Sequence, residues 1–141
     1  MVMILEDVKV NVKVKLALLW VALMFFYIYN DVFSLFQPWH VAELVEGHLE
    51  GIQFTQELLF GAAILMALPS IMVFLSLTLK ANVNRMVNII VGIFHIIVLV
   101  STLLVPGDLW AYYALYMVFE AVFILLIIWT AWKWPIQTTK S

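Results

Sequence analysis

The sequence predicts an all-α integral membrane protein, an up-down bundle of four membrane-spanning helices in a single domain over residues 1–141, with a short amphipathic helix in its first outer loop. Three observations predict it. Of the 141 residues 66% are hydrophobic and 11% charged, whereas soluble domains run about 45–50% apolar and about 25% charged. Mean hydropathy is +1.09. Four apolar runs, at 16–36, 58–79, 86–105 and 109–132, match the length of about 20 residues that a helix needs to cross a bilayer. All seven basic residues (Lys9, Lys13, Lys15, Lys80, Arg85, Lys133 and Lys140) fall on one side of those runs.

The first run follows Lys9, Lys13 and Lys15. It is too long and too aromatic for a cleaved leader, and no small-residue cleavage site follows it. Residues 37–56 form the one long loop. Within it Val41, Leu44, Val45 and Leu49 share one helical face and Glu43, Glu46 and Glu50 the other. That pattern predicts an amphipathic helix over 38–49, lying on the outer surface and ended by Gly51. The alternative is an extension of a neighbouring span. In the second run Pro69 lies about midway between Glu57 and Lys80; it removes a backbone donor and frees the carbonyl of Leu65. Residues 80–85 read as a tight inner turn into the third run. Pro106-Gly107-Asp108 reads as a tight outer turn, with Asp108 as N-cap of the fourth.

The charge distribution orients the chain. The side opposite the basic residues holds Glu43, Glu46, Glu50, Glu57 and Asp108 and no Lys or Arg. The positive-inside rule then places both termini in the cytoplasm. Trp20, Trp129, Trp132 and Trp134 fall near the inner interface and Trp39 and Trp110 near the outer one, where amphipathic rings concentrate.

Several chemistries are excluded. There is no cysteine, hence no disulfide, thiolate metal site or dithiol redox pair. A net charge of −2 with seven basic residues offers no basic face for nucleic acid. No phosphate-binding glycine loop, nucleophile elbow or zinc-protease motif occurs. The chain points away from an enzyme.

Polar groups in hydrocarbon carry a penalty of about 2.5–3.5 kcal/mol each for charged residues, so each needs a reason. His95 is ten residues beyond Arg85, about 15 Å at the helical rise and so near the midplane. Glu120 lies about midway between Asp108 and Lys133, at matching depth, and Asn30 and Asp31 lie higher. Three stripes recur at helical spacing: Trp20, Met24, Tyr27, Asp31 and Ser34; Asn88, Gly92, His95, Leu99 and Thr102; and Tyr113, Tyr116 and Glu120. Stripes of this kind turn away from lipid toward one another. The predicted site therefore draws on His95, Glu120, Asp31, Tyr116, Asn30 and Asn88. A plainly structural reading is a His95–Glu120 hydrogen bond that fixes helix register, a bond averaging about 0.6 kcal/mol in membranes. The functional reading is a protonatable or ligand-binding pair, since burial favours the neutral carboxyl and a nearby imidazolium favours the charged one. His40, Glu43 and His48 are weak metal candidates, because their spacing matches no strong ligand pattern.

The segments Asp31-Val32-Phe33-Ser34, Gly51-Ile52-Gln53-Phe54-Thr55-Gln56-Glu57-Leu58-Leu59 and Asn84-Arg85-Met86-Val87-Asn88-Ile89-Ile90-Val91-Gly92 resemble an uncharacterised family of small bacterial four-span membrane proteins, DUF6326, over about 12–134. The resemblance implies a prokaryotic inner membrane and carries no functional residue. In size and span count the chain also resembles the DoxX-like group, some members of which are subunits of quinol-oxidising complexes.

The leading expectation is a non-enzymatic membrane protein whose outward-facing polar pocket binds or conducts a small neutral or cationic ligand, or protons. No intramembrane Lys or Arg is present to hold an anion. A second reading is a structural or accessory subunit of a larger membrane complex, or a homo-oligomer, with the polar pair setting register only. A third is a redox subunit that contacts quinone or haem; one histidine at membrane depth argues against a bis-histidine haem within one chain and leaves His95 as a single axial ligand. No cofactor is otherwise implied.

Overall fold

In the computed structural model, which describes residues 5, 7–105 and 108–136, each apolar run lies on one long helix. In chain order the elements are α1 (Val12–Ser34), α2 (His40–Val45), β1 (His48–Leu49), β2 (Ile52–Gln53), α3 (Gln56–Thr78), α4 (Ala81–Thr102) and α5 (Ala111–Trp132). The helices α1, α3, α4 and α5 are long and apolar enough to span a bilayer. Phe60, Ile97, Val118 and Leu125, among many, leave large apolar side chains exposed on the outside of the bundle. Water would penalise such a surface and lipid accepts it. The protein is a multi-pass membrane protein.

The helix ends differ from expectation for local reasons. α1 starts at Val12 because the Asn11 side chain accepts a hydrogen bond from the Lys13 amide at 2.9 Å, an N-cap that a hydropathy window passes over. Thr55 caps α3 in the same way through the Leu58 amide, at 3.2 Å. The inner turn is shorter than 80–85. Only Leu79 and Lys80 are extended, and α4 begins at Ala81, since nothing between 81 and 85 breaks a helix. Asp108 is not a cap: α5 starts at Ala111, with Trp110 in the N-cap position and no side-chain cap bond. Pro106 and Gly107 of the predicted outer turn, and Lys140, lie outside the described residues.

The long loop departs most from its prediction. The helix over 38–49 is cut to α2, followed by a hairpin in which His48 pairs with Gln53 and Leu49 with Ile52. Gly47, at φ 84°, ends α2; this left-handed conformation is easy for glycine and stops a helix. Glu50 and Gly51, at φ 49° and 79°, make the two-residue turn between the strands, both central residues having the positive φ that such hairpins use. The Phe54 amide then bonds the Gly47 carbonyl at 2.9 Å and closes the loop.

Around the bundle α1 packs along both α3 and α5, and α4 packs along α5. α3 and α4 share a much smaller contact. The first span is therefore beside the second, and α1 faces α4 across the diagonal. Leu16, Trp20, Leu23, Met72, Leu99, Ile124, Ile127 and Ala131 form the core, most of it toward the basic end. Toward the acidic end burial thins out: residues 56–64 of α3 are exposed throughout.

Candidate functional site

Polar contacts run up the diagonal between α1 and α4 in layers. At the basic end Lys13 reaches the Leu79 carbonyl at 2.7 Å, placing a cation at the C-terminus of α3, where free carbonyls favour one. One layer up, the Trp20 indole N–H donates to Asn88 Oδ1 at 2.7 Å. Ser76 Oγ donates to the same oxygen at 3.3 Å. The Asn88 amide in turn donates to Asn84 Oδ1 at 2.7 Å and to the Asn84 carbonyl at 2.9 Å, and Asn84 donates to the Ser76 carbonyl at 2.6 Å. Asn88 thus uses both of its donors and both lone pairs of its oxygen. It is a buried node tying α1, α3 and α4 together, with nothing left for a guest.

The next layer is different. Seven residues after Trp20 and Asn88 come Tyr27 and His95, and the Tyr27 hydroxyl lies 3.2 Å from His95 Nδ1. Trp20 and Phe94 meet the imidazole edge-on, at centroid distances of 5.8 and 5.6 Å. His95 is only 1% exposed, yet its Nε2 has no hydrogen-bond partner among the described residues. Whichever tautomer Tyr27 selects at Nδ1, Nε2 is left as either an unmet donor or an unmet acceptor. One turn further along α1, Asn30 donates to Glu120 Oε1 at 3.4 Å, both residues being buried. Asn30 Oδ1 is also buried and unbonded among the described residues. An unmet buried polar atom costs about 1–3 kcal/mol, and here one lies on α4 and one on α1.

A family model described as a family of unknown function, DUF6326, matches residues 3–141. The chain belongs to this family. No curated protein and no solved structure matches it.

Within this DUF6326 chain the six predicted site residues separate. Asn30 and Glu120 are bonded to each other and His95 to Tyr27 on the same helix as Asn30, Asn88 is the saturated node below them, Asp31 is exposed and Tyr116 packs by its ring. No hydrogen bond joins His95 to Glu120 among the described residues; each is held from α1 instead. Asp31 is exposed and Asn30 takes the interior position. The reason is the period of the seam: Leu16, Leu23 and Asn30 are spaced by seven, the repeat of a helix wound against its neighbours. Tyr116 packs its ring on Phe26 and Phe33, at 6.1 and 6.0 Å. The hydroxyl that enters the polar column is that of Tyr112, 3.0 Å from Ser34 Oγ and bonded also to Gln37.

His40, Glu43 and His48 do not converge. Glu43 accepts from the Glu50 amide at 2.9 Å and holds the hairpin. His48 pairs with Glu46 at 3.1 Å. Among the described residues no three His, Cys, Asp or Glu stand close enough for a metal ion. Sequence reading missed Ser76, Asn84 and Tyr112. Asn84 carried a usable signal, since it precedes Asn88 by one helical turn; Ser76 is one small hydroxyl in an apolar run and carried none.

Proposed function

We propose that this protein binds or conducts a small guest, neutral or cationic, or a proton, at an intramembrane site formed by Tyr27, Asn30, His95 and Glu120, and that it is not an enzyme. The observation that carries the reading is the pair of buried, unbonded atoms, His95 Nε2 and Asn30 Oδ1, the second on a side chain bonded to the Glu120 carboxyl group. Asn30 Oδ1 can only accept a hydrogen bond, so the guest must bring a donor. A carboxylate favours a donor that is also positive. No Lys or Arg occurs between residues 16 and 79 or between 86 and 132, and nothing at that level would hold an anion. Hydronium, water, ammonium-type cations and small alcohols meet these requirements.

In this proposal the site opens to the acidic end. His95 lies nearer the Thr102 end of α4 and Glu120 nearer the Ala111 end of α5, and the bundle loosens in that direction. With the basic end in the cytoplasm of a prokaryotic inner membrane, the site faces outward. The test is reconstitution into liposomes carrying an entrapped pH dye, with a potassium diffusion potential as driving force, beside thermal shift in detergent with ammonium and small alkylammonium salts. The wild type is expected to respond in one assay, and Glu120→Gln to lose at least ten-fold of that response with unfolding unchanged. A wild type silent in both, or a Glu120→Gln variant that keeps the full response, would overturn the proposal.

A further inference from the structure

A second feature lies at the opposite end of the molecule and is independent of the intramembrane site. The extended segment before α1, the first turn of α1, the start of α4 and the last turn of α5 enclose a groove of about 820 Å³. Three of its lining residues are cations, Lys9, Lys15 and Lys133, and none is acidic. Among the described residues no salt bridge involves any of the three. Lys13 makes a useful contrast, because it turns away to the carbonyls that end α3 and is absent from the lining. Lys13 therefore serves a helix end, while Lys9, Lys15 and Lys133 leave the groove unneutralised.

The groove also has an apolar side. Trp129 and Trp134 line it, and the Lys133 ammonium sits over the Trp129 ring at 5.1 Å from its centroid. That contact holds the cation by the ring face. Trp129 is 60% exposed on the outside of the bundle, at the end of a spanning helix, where tryptophan marks the headgroup level. Ala81, the first residue of α4, is a further lining residue, and the start of that helix has no side-chain cap. Anion chemistry and interfacial aromatic surface thus meet in one place.

We propose that this groove binds an anionic phospholipid, its phosphate set among Lys9, Lys15 and Lys133 and its glycerol end against Trp129 and Trp134. Basic recesses between spanning helices recognise anionic headgroups in this way. The volume lies within the about 300–1,000 Å³ typical of sites that take a sizeable organic ligand, and inorganic phosphate would leave most of it empty. A soluble anion would also gain nothing from the exposed Trp129 face.

Native mass spectrometry of the full chain, released from nanodiscs of equal parts phosphatidylglycerol and phosphatidylcholine, tests the proposal. The wild type is expected to retain phosphatidylglycerol at least five-fold over phosphatidylcholine. Each of Lys15→Gln and Lys133→Gln should reduce that preference about five-fold, the effect of about one surface cation. Lys80→Gln, which removes the same charge outside the groove, should leave the preference intact. Equal retention of the two lipids by the wild type overturns the proposal even if a variant fails to fold. So does a Lys80→Gln loss matching that of Lys133→Gln, which would mean diffuse attraction. Stabilisation by millimolar inorganic phosphate equal to that by phosphatidylglycerol would assign the groove to a free anion instead.

Discussion

Asn88 and His95 occupy the same face of α4, two turns apart, and differ in one respect that decides their roles. Asn88 is fully bonded; His95 is not. Trp20→Phe removes one neutral bond to Asn88, averaging about 0.6 kcal/mol in membranes, and part of a fully buried ring, so it should lower stability by about 1–2 kcal/mol. Asn88→Leu strands the Trp20 and Ser76 donors and the Asn84 oxygen together, so its loss should exceed that of Trp20→Phe; equal losses in detergent unfolding would show that the node is not a unit. The double variant Tyr27→Phe, His95→Leu behaves oppositely, because replacing both partners of a bond by apolar groups of similar volume is close to neutral and here also removes the unmet Nε2. It should unfold no earlier than wild type while losing the guest response, and a marked fall in stability would return His95 to a structural role. This level of detail was only partly legible in the sequence. The depth of His95 and Glu120 followed from counting residues between charges. The choice of Asn30 over Asp31 did not, because adjacent residues differ by about 100° of helix rotation and only the packing period selects between them. The role of Tyr116 is hard to read for a related reason: a tyrosine on a polar stripe can present its ring to neighbouring aromatics, as it does to Phe26 and Phe33, as readily as its hydroxyl to a site.

At the scale of elements, the long contact between α4 and α5 depends on a missing side chain. A Cβ placed on Gly92 would come 2.7 Å from Ile128 Cγ1 and 3.2 Å from its Cδ1. The first distance is far inside van der Waals contact and involves a branched side chain with little rotamer freedom in a helix. Gly92→Val should therefore push α4 from α5 and destabilise the protein by about 1–3 kcal/mol, the usual range for overpacking. Gly61→Val is the control. A Cβ there meets nothing within 4 Å, and valine should leave the unfolding midpoint in detergent within about 1 °C of wild type. Similar shifts for both would mean that helix propensity, not the close approach, sets the effect. The spacing of Gly92 with Asn88 and His95 puts it on the interior face, so the element and its inward side are legible in the sequence. The long outer loop is not, although it contains the needed glycine. Its apolar and acidic residues alternate as on a helix through Leu49, and periodicity outweighed Gly47. Backbone conformation at that one position ends the helix and starts a hairpin.

For the whole molecule, the order of helices around the bundle and its orientation in the membrane stand on different footings. The order could not be read from the sequence, because the loop between α1 and α3 is long enough to let the first span sit beside or across from the second. The structure resolves it through buried polar residues: α1 must face α4 for Trp20 to meet Asn88 and Tyr27 to meet His95. The proposed orientation rests on charge alone, and the absence of cysteine makes it directly measurable. Val8 and Val45 are 79% and 83% exposed at opposite ends of the molecule, and a single cysteine at either position touches no buried contact. In intact bacterial cells a membrane-impermeant maleimide should label Val45→Cys at once and Val8→Cys only after lysis. The reverse pattern would place the basic end outside and turn the site of His95 and Glu120 toward the cytoplasm. The distinction bears on chemistry as well as topology. Under the proposed function, a site open to the exterior would take its guest from a compartment whose pH and ion content the cell does not set, and a carboxyl group with an accepting amide beside it would suit capture of a donor from there. Adding four lysines to the exposed loop around Glu46 should redistribute the label toward the inverted form if charge governs insertion. A labelling pattern indifferent to those lysines would mean that helix packing, rather than the flanking charge, sets the orientation.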